Sequence, residues 1–257
     1  MPHLELRDVS LTFGSGADAV EALHKVGLQV AAGEFVSIVG ESGCGKTTLL
    51  RVVAGLVAPT SGVATVSGKP VKGPPDSVGF VFQRSVLLPW RRIIDNVLLP
   101  LQLAGTLNST SRQEALAALE LVGIRDFAYK FPRQLSGGMQ QRASIARTLV
   151  TQPSLLLMDE PFGALDAITR ERLNLDLLDI WAKSQCTCLF ITHDIDEAII
   201  LSDRVVLMSP RPGRIRREFT VDLPRPRVQS MRYTPEFTAL SRQIHREMTR
   251  EAEVAVA

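Results

Sequence analysis

A chain of 257 residues is long enough for a sizeable core, in one domain or in two closely packed subdomains. Its hydrophobic fraction of 45% and charged fraction of 22% are those of an ordinary soluble globular protein, and a formal net charge of +2 is too small to argue for nucleic acid. No apolar run approaches the length of a membrane span.

The N-terminus, Met1-Pro2-His3-Leu4-Glu5, has neither a basic head nor an apolar signal core, which predicts a protein kept in the cytosol. Residues 4–32 alternate polar and apolar around a Gly14-Ser15-Gly16 break and read as antiparallel strands joined by a turn. The apolar run Phe35, Val36, Ile38, Val39 then leads into Gly40-Glu41-Ser42-Gly43-Cys44-Gly45-Lys46-Thr47, and a helical pattern follows from Thr48-Leu49-Leu50. This is a phosphate-binding loop in its proper surroundings. Glycines let the backbone turn tightly, so that several N–H groups point at one anion, and the following helix adds its positive end. Lys46 can reach the outer phosphates and Thr47 can hold a magnesium ion, so the chain is expected to bind a nucleoside triphosphate. Cys44 lies inside the loop beside a helix N-terminus, which should favour its thiolate. The expectation is inactivation by thiol reagents and protection by ATP.

Residues 61–82 read as further strands, punctuated by Gly62, Gly68 and Pro74-Pro75. Residues 86–150 read as mostly helical, with a capping box at Ser111-Arg112-Gln113-Glu114 and Leu116, Leu119 and Val122 on one face. Beyond residue 150 the pattern is strand–helix–strand. Leu155 to Met158, Cys188 to Ile191 and Val205 to Met208 look like strands buried on both faces, with a helix from about Ala167 to Trp181 between the first two. Such alternation implies a parallel sheet covered by helices. Cys186 and Cys188 share a strand face and read as small buried hydrophobes rather than metal ligands, and three cysteines without framework spacing argue against disulfides. The stretch holding Pro210, Pro212, Pro224 and Pro226 reads as irregular, and a last helix begins at Thr234-Pro235-Glu236 with Phe237, Leu240, Ile244 and Met248 on one side.

Ligands of open parallel sheets bind beyond the carboxyl ends of the strands. Here apolar strands end just before Gly40, at Gln83, at Asp159-Glu160 and near His193. If the four belong to one sheet, their ends crowd the edge that holds the triphosphate. Asp159 can then bind magnesium, and Glu160 can polarise a water for attack on the γ-phosphate. Gln83 can bind the metal or that water, and His193 can hydrogen-bond the γ-phosphate. A second helix opens at Leu135-Ser136-Gly137-Gly138-Met139-Gln140-Gln141-Arg142, where Ser136 is a good N-cap and two glycines let a ligand approach the first N–H groups.

Gly40 to Thr47, Gln83, Leu135 to Met139, Leu155 to Glu160, Ala164-Leu165-Asp166 and His193 occur in the order seen in ATP-binding cassette (ABC) proteins. They resemble the Walker A loop, Q-loop, signature, Walker B strand, D-loop and H-loop, over roughly residues 4 to 220. Met139 stands where Gln is commonest. Phe13 stands where a Tyr usually stacks on adenine, and it keeps the π-face. The resemblance implies an α/β, P-loop NTPase (RecA-like) parallel-sheet core with an antiparallel β subdomain and an inserted helical subdomain at about 86–150. The cassette would span 1–220 and a tail with a helix 221–257. ATP and magnesium would be the cofactors, with Thr48, Met139 and Asp166 joining the nucleotide-contacting set. It also implies a head-to-tail dimer with a second copy, each ATP lying between one Walker loop and the other signature.

Transport by such a chain needs separate membrane subunits. Val86-Leu87-Leu88-Pro89-Trp90 is either a docking groove for them or core of the helical subdomain. Leu87 to Trp90, Phe162 to Asp166, Ser209 to Ile215 and the tail Leu223-Pro224-Arg225-Pro226-Arg227 are similar to the nitrate/sulfonate/taurine importer ATPases. That likeness implies permease partners, a periplasmic solute-binding protein acting indirectly, and a peripheral place on the cytoplasmic face of the inner membrane. The alternative is an ABC-type ATPase acting on nucleic acid through the arginines between Arg204 and Arg232. Prolines interrupt that run, and the long heptad arms of repair ATPases are missing, so no nucleic acid is expected.

Overall fold

The computed structural model describes residues 2–184 and 186–254. In chain order the elements are β1 (Leu4–Phe13), β2 (Val20–Val30), β3 (Phe35–Val39), α1 (Lys46–Val53), β4 (Ser61–Val66), β5 (Lys69–Pro70), β6 (Val78–Val81), α2 (Ile93–Val97), α3 (Leu99–Leu103), α4 (Ser111–Leu121), α5 (Gly137–Leu149), β7 (Leu155–Asp159), α6 (Ala167–Ser184), β8 (Thr187–Ile191), α7 (Ile195–Leu201), β9 (Arg204–Met208), β10 (Ile215–Thr220) and α8 (Pro235–Val254). They gather into two units, Met1–Pro75 with Cys186–Ala257, and Asp76–Gln185.

In the first unit β1 and β2 pair antiparallel, from Leu4 opposite Val30 to Phe13 opposite Val20, as the alternation over 4–32 predicts. β4 takes the other edge of β1, and β5 completes a four-stranded antiparallel sheet. The buried residues of β1 change phase along the strand, from Leu4 and Leu6 to Val9 and Leu11. The register slips between Leu6 and Val9, where Asp8 has φ of 49°. A bulge there returns the second apolar pair to the core face.

Also in this unit, β3 lies between β8 and β9 and runs parallel to both, with β10 antiparallel on β9. Every residue of β3 and of β8 is buried, Ser37 and Thr187 included, as near-continuous apolar runs require in a sheet covered on both faces. Cys186 and Cys188 are buried, and burial pushes the Cys188 thiol well above its ordinary value. They pack as small hydrophobes.

The stretch after β9 is not irregular throughout. β10 buries only Phe219 of its six residues, so it offers no apolar alternation to read; its exposed charges suit an edge strand. α8 begins at Pro235 and buries Phe237 and Ile244, while Leu240 and Met248 are half-buried.

In the second unit β6 pairs parallel with β7, from Val78 opposite Leu155 to Val81 opposite Met158. Between residues 86 and 150 the regular elements are helices, α2 to α5, separated by loops and short turns. Ile93, Ile94 and Val97 of α2, Leu119 of α4 and Ile145 of α5 supply large apolar side chains to the core. The start of α4 differs from the expectation. Ser111 is the first helical residue and Thr110 stands at the N-cap with no side-chain cap bond; in the turn before it, Asn108 Oδ1 accepts the Ser111 N–H at 3.0 Å and Ser111 Oγ accepts the Asn108 N–H at 3.0 Å. The expected box at Ser111 to Glu114 therefore does not form, and Ser111 instead uses its hydroxyl on the preceding turn. Among the described residues no helix is long and apolar enough to cross a membrane.

Candidate functional site

β3 delivers the chain to Gly40 and α1 takes it up at Lys46. Gly45 has φ of 105°, and a Cβ there would stand 2.9 Å from Ala22 O, so the last turn of the loop requires glycine. No side chain caps α1 and no acid lies in its first turn, which leaves the positive helix end for an external anion. Lys46 is only 5% exposed, and its ammonium donates to Gly40 O at 2.8 Å and to Glu41 O at 2.9 Å. A buried cation held by neutral carbonyls is poised for a negatively charged ligand. Glu41, Ser42 and Gly43 are exposed, and Thr47 and Thr48 half-buried. Arg211 adds a second cation, donating to Gly43 O at 3.4 Å from the turn after β9. The sequence reading missed it, since nothing local marks a turn arginine as a neighbour of a loop 168 residues away.

The expectation for Cys44 is overturned. The side chain is 1% exposed, and burial, the largest effect, raises its thiol above the ordinary value, although the Lys46 charge pulls the other way. The helix end cannot favour a thiolate that has lost its water. Gly213 closes over this residue, since a Cβ on it would fall 2.2 Å from Cys44 O.

Two other candidates belong to the first unit. Phe13 ends β1 with its ring 44% exposed, open to stacking. His193 is exposed on the turn between β8 and α7. Its neighbour Asp194 caps α7 by accepting the Glu197 N–H at 3.0 Å.

In the second unit Asp159 ends β7, and Glu160 follows with φ of 42°. That left-handed backbone is unfavourable for a side chain with a Cβ and marks the position as held in place. Glu160 Oε2 and Gln83 Nε2 lie 3.4 Å and 3.6 Å from where a Cβ on Gly163 would stand. The structure thus brings these two candidates together. Asp166 caps α6: its Oδ1 accepts the Thr169 N–H at 3.0 Å, and this bond holds its carboxyl below the usual range. Ser136 caps α5 as expected, accepting the Met139 N–H at 3.4 Å. Ser136 and Gly137 are exposed, whereas Gly138 is buried with Thr169 Cγ2 3.3 Å from its would-be Cβ.

The stretch 86–90 is not core. Val86 and Trp90 are exposed, Trp90 by 71%, and Leu87 and Leu88 are half-buried. Trp90, Leu98, Leu107 and Phe131, with Arg91 and Asp95, line a groove of about 490 Å³. Asn96, which the sequence reading missed, shapes this loop from beneath. Fully buried, it accepts the Leu88 N–H at 2.7 Å and donates to Leu88 O, Arg91 O and Arg92 O. Arg147 of α5 holds the same stretch through Ser85 O and Val86 O.

A glycine-supported phosphate loop between a buried parallel strand and an uncapped helix defines a nucleotide-binding protein of the P-loop α/β class. The family described as ABC transporter matches residues 23–163. The chain is 45% identical over 248 residues to the nitrate import ATP-binding protein NrtD of Synechocystis sp., covering 94% of this chain and 93% of that protein. It is 50% identical over 194 residues to the taurine import ATP-binding protein TauB of Yersinia pestis bv. Antiqua, covering 76% of each. The dimeric post-hydrolysis structure of the ATP-binding cassette MJ0796 bound to ADP and Pi is similar in fold, with a TM-score of 0.74 and 33% identity over 86% of this chain and all of that one. The chain belongs to the ABC transporter family. It is an ATP-binding, ATP-hydrolysing cassette with the RecA-like core, antiparallel sheet and helices that the sequence led us to expect.

Proposed function

We propose that this chain is the ATP-hydrolysing subunit of an importer that takes up a small solute of the nitrate, sulfonate or taurine kind through separate permease subunits. One observation carries this reading: over nearly its whole length the chain is similar to a protein named for nitrate import. Its place would be peripheral, on the cytoplasmic face of the inner membrane. The groove beside Trp90 would receive the permease, and a periplasmic binding protein would act through that permease. The cassette would occupy 1–220 and the tail 221–257. Similarity to import proteins favours transport over action on nucleic acid.

ATP would lie with its phosphates on Gly40 to Thr48 and its adenine against Phe13. Lys46 would neutralise the outer phosphates. Glu160 would take the proton from the attacking water, Gln83 would orient that water, and His193 would hydrogen-bond the γ-phosphate. Ser136 to Met139 would present the α5 end to the γ-phosphate held by a second copy, and Asp166 would lie beside the same nucleotide. Hydrolysis would then release the head-to-tail dimer and move the permease.

The residues at hand suit magnesium. Among the described residues no group of three or more His, Cys, Asp or Glu could hold a metal by itself. The donors would be the Thr47 hydroxyl, the Asp159 carboxylate and the Gln83 amide oxygen, a sparse oxygen set of the kind that suits a magnesium ion arriving with a triphosphate. When bound, the ion supplies charge neutralisation at the phosphates.

The test is uptake of labelled nitrate, taurine and an alkanesulfonate by cells lacking the gene, complemented with the parent or with Glu160→Gln. We expect uptake of one solute to be restored by the parent only. Unaltered uptake of all three without the gene, together with salt-dependent binding of the protein to heparin, would favour the nucleic-acid reading instead.

A further inference from the structure

Helix α7 has only seven residues, too few to hold its shape in water unaided. Its start is the end of the His193 turn. Thr192 Oγ1 accepts the Asp194 N–H at 3.0 Å and donates to the Glu197 carboxylate, and Asp194 caps the helix on the Glu197 N–H. His193 lies in sequence between Thr192 and Asp194 of this linkage, so a shift of α7 moves the backbone from which the exposed imidazole projects.

The far end of α7 is held by the tail. Arg227 is 6% exposed, and its Nη1 donates to Ile199 O at 2.9 Å, Ile200 O at 3.2 Å and Ser202 O at 2.6 Å. Ile199 and Ile200 lie in the last turn of the helix and Ser202 is its C-cap, where a cation also meets the negative end of the helix dipole. Burial lowers the guanidinium to about 10, which leaves it charged at neutral pH. Arg225 assists, donating to Leu201 O at 3.0 Å and to the Asp203 carboxylate. At the near end Ser241 of α8 donates to Asp196 Oδ1 at 2.8 Å. The tail therefore grips α7 at both ends. Burying a guanidinium against neutral carbonyls is costly, and a short helix can be terminated without one. The arrangement is explained if the placement of α7 itself matters.

We propose that Arg227 is a positioning residue for His193: the tail that carries it fixes α7, and through the Asp194 cap it fixes the imidazole relative to the γ-phosphate. This rests on the role of His193 given above.

The experiment is a double-mutant cycle in the full chain, with ATP affinity and steady-state hydrolysis measured separately. Arg227→Met is expected to lower kcat about 10- to 100-fold, as small displacements of a positioned group do, with ATP affinity unchanged. Arg227→Lys is expected to recover part of that loss. In a His193→Ala background Arg227→Met should lower kcat no further. A full further loss there, or a matching loss of ATP affinity, would overturn the inference. If Arg227→Met does not fold, Ser241→Ala enters the same cycle in its place, with the same outcomes. Should His193→Ala hydrolyse ATP at the parental rate, the role of His193 fails. The His193 imidazole NMR resonance, assigned by its loss in His193→Ala, then decides the link alone. A shift in Arg227→Lys sustains the mechanical coupling, and an unmoved resonance removes it.

Discussion

Glu160 and Gln83 meet at Gly163: Glu160 Oε2 lies 3.4 Å and Gln83 Nε2 3.6 Å from the position a Cβ on that glycine would take. The two side chains come from the ends of neighbouring parallel strands, β7 and β6. The gap between them is bounded by a residue without a side chain. Alanine at 163 would touch both groups at near-ordinary contact distance, so Gly163→Ala should fold and turn over. A branched side chain would enter the gap. Gly163→Val is expected to lower hydrolysis about 10-fold or more by displacing Glu160, with ATP affinity intact. Steady-state ATPase assays beside equilibrium nucleotide binding check this, and a valine variant working at the parental rate would contradict it.

Glu160→Gln tests the proton acceptor itself. Glutamine keeps the size of the side chain and its place at φ of 42°, but its amide cannot take a proton from water. Hydrolysis should fall by about 10²- to 10⁴-fold, the usual contribution of a positioned general base. ATP should still bind, and an ATP-locked dimer should accumulate in light scattering. Turnover at the parental rate would remove Glu160 from the mechanism.

Much of the fold and of the candidate site was legible because its signals are local. The buried runs of β3, β7 and β8, the phosphate loop that follows β3, and the Ser136 cap each declare themselves within about ten residues of sequence. What escaped is non-local. Arg211 reaches Gly43, Asn96 organises Leu88 to Arg92 from the following helix, and Arg227 caps a helix lying 25 to 28 residues upstream. No periodicity marks such contacts. β10 escaped because Arg216, Arg217 and Glu218 run consecutively along an edge strand that buries only Phe219. Cys44 misled for a different reason: its neighbours in sequence favour the thiolate, but burial decides, and burial cannot be read from one loop.

Ser136 has two roles that separate on substitution. As a cap its bond to Met139 N is long, at 3.4 Å, so Ser136→Ala should cost about 0.5–1 kcal/mol, near the low end for caps. Ser136→Glu places an anion at the positive helix end, which offsets the lost cap, so its melting temperature should stay near the parent's. The same charge would repel the γ-phosphate of the second copy. Hydrolysis should therefore fall while ATP binding to the single subunit survives. Equal loss of ATP binding in Ser136→Glu and Lys46→Ala would count against a site shared by two copies.

Asn96 separates loop shape from apolar content. Its amide donates to three carbonyls and its oxygen accepts the Leu88 N–H. Asn96→Ala should cost about 1–3 kcal/mol through groups left unpaired. Asn96→Asp should be worse than alanine, because a carboxylate would face three carbonyl oxygens without a proton to give. Thermal melts rank the variants, and co-purification with the permease should fall in the same order. An aspartate variant as stable as the parent would show that the loop keeps its shape by other means.

Cys44 supplies the last test, and its sign opposes the simple reading of a helix-end cysteine. Burial raises the thiol above its ordinary value, so at pH 7 to 8 the thiolate fraction is smaller than that of a free cysteine. Cys186 and Cys188 are buried as well. The folded protein should therefore take up almost no iodoacetamide at pH 7.5, with or without ATP, whereas the denatured chain should take up one label at each of its three cysteines. Raising the pH through the usual cysteine range should accelerate labelling of folded protein far less than labelling of glutathione. Labelling should follow unfolding, so its rate should rise with denaturant and fall with any ligand that stabilises the fold. A single rapid label on the folded protein, mapped to Cys44 and blocked by ATP, would mean that the loop opens in solution and exposes the thiol.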